Sequence, residues 1–202
     1  MAQTIDRGVI GRLGEALAER GVEMEFVDTG VQALARLREL VPLGTQVSTG
    51  SSTTLDQIGF TAWLNEQHAQ GKLRYFRAET QGISNPLDRI ENRRQATLAE
   101  YFLGSLNALT EDGVGVAADA AGTRVGGYVF GARYVIWVLG INKIVPTLED
   151  AVRRVWEVAL PAEDARIKRT GGAGSEVGKM VFFHHERPGR IRLLLVGEEL
   201  GF

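Results

Sequence analysis

From Tyr134 to Ile141 the chain runs through about eight consecutive apolar residues, its longest such stretch. A strand with one face in water alternates apolar and polar side chains, so a strand without that alternation is buried on both faces. A bilayer span needs about 20 such residues, which makes this segment an interior strand. Helices must then cover both sides of its sheet, and the rest of the sequence should alternate helices with strands.

It does. Ile5, Val9, Leu13 and Leu17 recur at helical spacing, with Gly21 as the stop. Val22, Met24 and Phe26 alternate with Glu23 and Glu25 as a strand, and Thr29 with Gln32 spells a capping box ahead of Leu34, Leu37 and Leu40. Pro42 and Gly44 break that helix. Gln46 to Thr49 is a short strand running into Gly50-Ser51-Ser52-Thr53-Thr54, and Thr54 with Gln57 is expected to cap the next helix. Asn85 before Pro86 opens a helix through Ile90 and Leu98. Tyr101 to Leu106 reads as a strand, Glu111-Asp112-Gly113 as a tight turn, and Val114 to Ala118 as its continuation or hairpin partner. Gly122 to Phe130 is expected to be helical despite its glycines, and Thr147 with Asp150 caps a helix that should end at Pro161. Thr170 to Gly178 reads as a flexible glycine-rich loop before two strands, Met180 to His184 and Ile191 to Val196. The expected class is α/β: an open, mostly parallel twisted sheet with helices on both faces, in one domain over residues 1–202.

The 202 residues contain no cysteine, which excludes disulfides, thiolate metal sites, iron–sulfur ligation and a cysteine nucleophile. Whatever chemistry occurs uses oxygen, nitrogen and charge. With 23 Lys and Arg against 25 Asp and Glu, and no block of like charges, nothing offers a footprint for nucleic acid, and a small neutral or anionic ligand fits better. The opening MAQTIDRGVIGRL lacks the basic-then-apolar order of a signal peptide, so a cytoplasmic protein without a membrane partner is expected.

Ligands of such sheets bind beyond the carboxyl ends of the strands. Three loops qualify. Thr49, Gly50, Ser51, Ser52, Thr53 and Thr54 pass from a strand into a helix and could cradle a phosphate or carboxylate, or simply cap the helix. The second loop runs from Asn107 to Gly113. There Glu111 and Asp112 are adjacent carboxylates able to act as acid, base or nucleophile, although Asp-Gly is also an ordinary turn pair. Asp119 and Arg124 flank the next turn as an ion pair or a substrate contact. In the third loop Asn142 and Lys143 follow the most apolar strand and could hold an anion, or be solvated. Arg89, Arg93 and Arg94 read as a solvated helix face from which one could point into the cleft. His68, His184 and His185 lack metal-site spacing, and His184-His185 should divide between two faces of a strand. No metal and no cofactor is called for.

The stretches Val47 to Gly59, Phe102-Leu103 with Ser105 to Gly113, and Gly140 to Pro146 together resemble the LUD domain family, the lactate-utilisation proteins, over nearly the full length. The resemblance implies a fold like those of ribose-phosphate isomerase, glucosamine-phosphate deaminase and the CoA-transferases. In those relatives the hydroxyl loop binds phosphate, and Glu111-Asp112-Gly113 is similar to the Glu-x-Gly turn of CoA-transferases, a fold-level analogy. Asp119 to Arg124 matches the ends of the family's Asp-Gly-x-Gly-Asn-Arg signature and departs in the middle. Many members also end in a cysteine cluster that looks like an iron–sulfur site, whereas here the tail is Thr170-Gly171-Gly172-Ala173-Gly174-Ser175.

Two functions follow. One is a ligand-binding accessory component of a system oxidising L-lactate to pyruvate, with iron–sulfur subunits as partners and a small carboxylate, phosphate or CoA-like anion in the three loops. The other is a phosphosugar isomerase or acyl-CoA transferase using Glu111. A homo-oligomer is left open, with Trp63 and Trp156 as exposed-looking apolar residues.

Overall fold

The computed structural model describes residues 6–202, so Ile5 of the first expected helix lies outside the described residues. The strands are β1 (Glu23–Val27), β2 (Gln46–Thr49), β3 (Arg74–Tyr75), β4 (Tyr101–Gly104), β5 (Ala108–Thr110), β6 (Gly115–Asp119), β7 (Tyr134–Gly140), β8 (Ile144–Val145), β9 (Lys179–Phe183) and β10 (Ile191–Val196). The α-helices are α1 (Arg7–Glu19), α2 (Gly30–Leu40), α3 (Thr53–Gln57), α4 (Phe60–Ala69), α5 (Phe76–Gly82), α6 (Pro86–Ala96), α7 (Thr123–Gly126), α8 (Leu148–Arg154) and α9 (Leu160–Arg169).

Six strands form a sheet in the order β1-β10-β7-β4-β2-β3, every neighbouring pair parallel. The interior position expected for the apolar segment is that of β7. Trp137 and Leu139 face one core with Leu13 and Leu17 of α1, while Ile136 and Val138 face another with Leu37 of α2, Leu55 of α3 and Leu64 of α4. Leu193 and Leu194 of β10 divide in the same way. Side chains alternating along a strand thus feed two separate cores, as a sheet covered on both faces requires.

Local chemistry sets the helix starts. Thr29 and Gln32 close the capping box, Asn85 accepts from the Leu87 amide ahead of Pro86, and Thr147 accepts from the Asp150 amide. Other expectations fail at the level of single residues. The α3 cap is Ser52, whose hydroxyl accepts from the Leu55 amide at 3.3 Å, not Thr54 with Gln57. Pro161 does not end its helix: a wider π turn, Val155–Ala159, joins α8 to α9, and the proline follows it where the regular backbone ladder is already interrupted. β4 stops at Gly104 instead of reaching Leu106. His184 and His185 lie beyond β9, both exposed, rather than on opposite faces of a strand. Trp63 stacks on Phe60 at 5.3 Å against the core, whereas Trp156 stays half exposed.

A second sheet, β8-β5-β6-β9, is mixed: β5–β6 and β6–β9 run antiparallel and β5–β8 parallel. Its two-residue β8 and three-residue β5 are too short to leave a sequence pattern. Ala151 of α8 and Val155 of the π turn that follows pack on it. None of the described helices is long and apolar enough to cross a membrane.

Candidate functional site

The chain passes from β2 outward to β3 and then returns to the opposite side of β2 as β4. This reversal splits the loops at the carboxyl ends of β2 and β4, the position at which open α/β sheets hold ligands. A cleft of about 710 Å³ opens there. It is lined by the whole hydroxyl loop Thr49, Gly50, Ser51, Ser52, Thr53 and Thr54, by Ser105 and Asn107 after β4, and by Asp119, Arg124 and Lys143. α9 supplies the facing wall with Glu163 and Ile167, joined by Val177 from the loop before β9.

Lys143 forms the floor. A 3-10 turn, Ile141–Lys143, follows β7 and turns this side chain inward, so that only 2 % of the residue is exposed. Its ammonium donates to Thr54 Oγ1 at 3.1 Å and Ser105 Oγ at 2.9 Å, both neutral hydroxyls. Burial, with the nearby Arg154 and Arg124 charges, lowers its pKa to about 7. Arg154 is itself buried, which lowers its pKa, and it donates to the carbonyls of Asn142 and Asn107.

Arg124 organises the wall. Its guanidinium donates to Ser105 O at 3.1 Å, Asn107 Oδ1 at 3.1 Å and the Ala118 carbonyl. Asp119 does not pair with that guanidinium; its carboxylate accepts the Arg124 amide at 2.9 Å and the Val125 amide at 3.3 Å. Gly50 is required beside this chain, because a Cβ there would stand 2.9 Å from Arg124 Cδ. The Gly50 carbonyl accepts from Arg77 of α5 at 2.7 Å. Ser51 accepts from Arg166 at 2.8 Å, and Thr49 shares a 2.6 Å hydrogen bond with the Tyr75 hydroxyl, whose pKa burial raises.

Three expected residues stand apart. Glu111 and Asp112 occupy the exposed β5–β6 turn, which leans on α1 through Gly113, and neither lines the cleft. Asp112 takes hydrogen bonds from Thr110 and from Arg20, the latter at 3.3 Å. Asn142 is directed at the tail, accepting from Leu200 N at 3.0 Å and donating to Gly201 O at 3.4 Å. That clamp holds Gly201 so close to Lys143 that a Cβ there would be 3.0 Å from the ammonium. Ser105, Arg77 and Arg154 were not among the expected site residues. Ser105 directly follows β4 in a stretch that carries the family resemblance, so the strand-end rule could have found it, whereas Arg77 and Arg154 sit on helices with no local ligand pattern and only the tertiary fold turns them inward. Among the described residues no three His, Asp or Glu side chains gather into a set able to hold a metal ion.

A profile of the LUD domain matches residues 10–177. The chain belongs to the LUD domain family. Among solved structures, this LUD domain is similar to a DUF162 family protein from Deinococcus radiodurans, with a TM-score of 0.57 at 11 % identity over 95 % of this chain and 99 % of that one. So distant a likeness speaks for the fold, and it agrees with the α/β architecture above. No curated protein matches the chain. The LUD family is associated with lactate utilisation.

Proposed function

We propose that this LUD domain binds a small anionic ligand in the cleft beyond β2 and β4, as a ligand-binding accessory component of an L-lactate-oxidising system. One observation carries the reading: the cleft concentrates positive charge that the protein leaves unbalanced. Lys143, Arg124, Arg77, Arg89 and Arg93 all line it, and none forms an ion pair among the described residues. Of the three lining carboxylate side chains, Asp119 is held by backbone amides, Glu163 by Arg166, and the exposed Glu176 pairs with none of the cations, so five cations face one free carboxylate. A buried cation without a counter-ion is costly, and an anionic ligand removes the cost. Transfer chemistry at Glu111 gains no support, because that carboxylate lies outside the cleft.

In this reading Lys143, Thr54 and Ser105 receive the acidic or carbonyl end of the ligand, and Arg124 fixes the wall beside it. Iron–sulfur subunits of the oxidising system are the proposed protein partners, in the cytoplasm. A thermal-shift panel of lactate, pyruvate, sugar phosphates, CoA esters and nucleotides tests the binding. A ligand at 100 times its Kd stabilises the fold by about 2.7 kcal/mol, a rise of several degrees in Tm for a chain of this length. The rise should vanish in Lys143→Met. Co-purification from the native host and growth on lactate after gene deletion test the accessory role. Absence of iron–sulfur partners together with undiminished growth would remove it.

A further inference from the structure

The cations of the cleft fall into two groups that meet at Gly50. Arg124 packs its aliphatic stem on this glycine on the side of Lys143, while Arg77 donates to its carbonyl from the side of α5. Behind Arg77, α6 adds Arg89 and Arg93, four positions apart and therefore on one helix face. Arg89 anchors itself on the Ile83 carbonyl through Nε and Nη2, which leaves Nη1 unused. Arg93 has no hydrogen-bond partner among the described residues.

A single carboxylate at Lys143 leaves the second group unbalanced. Volume makes the same point. A water molecule takes about 30 Å³ in the liquid, so a three-carbon acid, a few times larger, leaves most of a cleft of about 710 Å³ unfilled. Three guanidiniums on two adjoining helices suit an oxyanion with several acceptors, which accepts their planar forks in pairs.

Resting on the proposed anion site, we infer that the ligand is an extended organic phosphate. Its acidic or carbonyl end lies at Lys143, Thr54 and Ser105, and its phosphoryl group between Arg77, Arg89 and Arg93. The chemical class is a phosphorylated metabolite or nucleotide-like molecule, larger than lactate or pyruvate.

Calorimetric titration of the full chain with matched probes tests this: ribose 5-phosphate against ribose, adenosine diphosphate against adenosine, and coenzyme A against pantetheine, with lactate and pyruvate alongside. At least one phosphorylated probe should bind about tenfold or more tightly than its unphosphorylated partner and than either three-carbon acid. Arg93→Glu, on an exposed side chain with no hydrogen bond or ion pair to lose among the described residues, should weaken that probe by about tenfold or more. Arg94→Glu, on the same helix but outside the cleft, should leave it unchanged. Equal losses in both variants, or none in Arg93→Glu, overturn the inference. Lactate or pyruvate binding through Lys143 while every phosphorylated probe fails overturns it too, yet keeps the proposed anion site. Failure of every anion overturns both.

Discussion

Replacing Lys143 with methionine should make the protein more stable below neutral pH while abolishing its ligand binding. Lowering the ammonium from its ordinary 10.5 to about 7 means that the folded state disfavours the charged form by about 5 kcal/mol. Below pH 7 both folded and unfolded chains hold the proton, and the fold bears that full cost. Between pH 7 and 10.5 the unfolded chain keeps a proton that the folded one has released, so stability rises with pH through this window. The methionine side chain would fill similar volume without charge, at the loss of two hydrogen bonds to Thr54 and Ser105, together about 2 kcal/mol. The net gain at pH 6 is about 3 kcal/mol, and it should shrink or reverse by pH 9. Urea unfolding of both proteins at pH 6, 7.5 and 9 measures this directly. A methionine variant less stable than its parent at pH 6, or a gap that does not narrow as pH rises, refutes the reasoning.

Glu111→Gln should leave stability within about 0.5 kcal/mol and ligand affinity unchanged, because the side chain is exposed and outside the cleft; a large loss of binding by calorimetry contradicts its placement. Gly50→Ala should cost about 1–3 kcal/mol in urea unfolding by forcing Arg124 aside, and should weaken any ligand that stabilises the parent. Asp119→Ala strips the Arg124 and Val125 amides of their acceptor and should cost about 1–2 kcal/mol. Anion binding should itself raise the Lys143 pKa, so titrations near pH 7.5 in buffers of different ionisation enthalpy should register proton uptake that is absent in Lys143→Met.

The sheet was legible because its signals are local: the unbroken apolar run of β7, the Thr29–Gln32 capping box and the Asn85-Pro86 start each need only neighbouring residues. The hydroxyl loop was legible for the same reason, and the strand-end rule places it in the cleft. Lys143 was harder. In sequence it is a lysine in a short turn, and its burial comes from Ser105 and Thr54, 38 and 89 positions away, and from the tail at Gly201. Glu111 shows the opposite failure. Its carboxylate pair reads the same wherever the turn points, and only the packing of Gly113 on α1 decides that it points away. Arg77 gave no signal, while Arg89 and Arg93 resembled any solvated helix face until α6 closed against the cleft.

The order of the large sheet bears on the history of the chain during synthesis. Among the described residues β1 pairs with β10 alone, and their Glu23–Arg192 ion pair joins positions 169 residues apart. At usual elongation rates of about 5–20 residues per second, β1 stays unpaired for about ten to thirty seconds after it leaves the ribosome. Throughout that interval Met24 and Phe26 form a ready template for another nascent strand. Glu23 and Glu25, alternating with them, charge the same edge and repel such a neighbour. In the finished molecule the two glutamates take up Arg192 and Arg36, so the charges that guard the strand in its first seconds later anchor it.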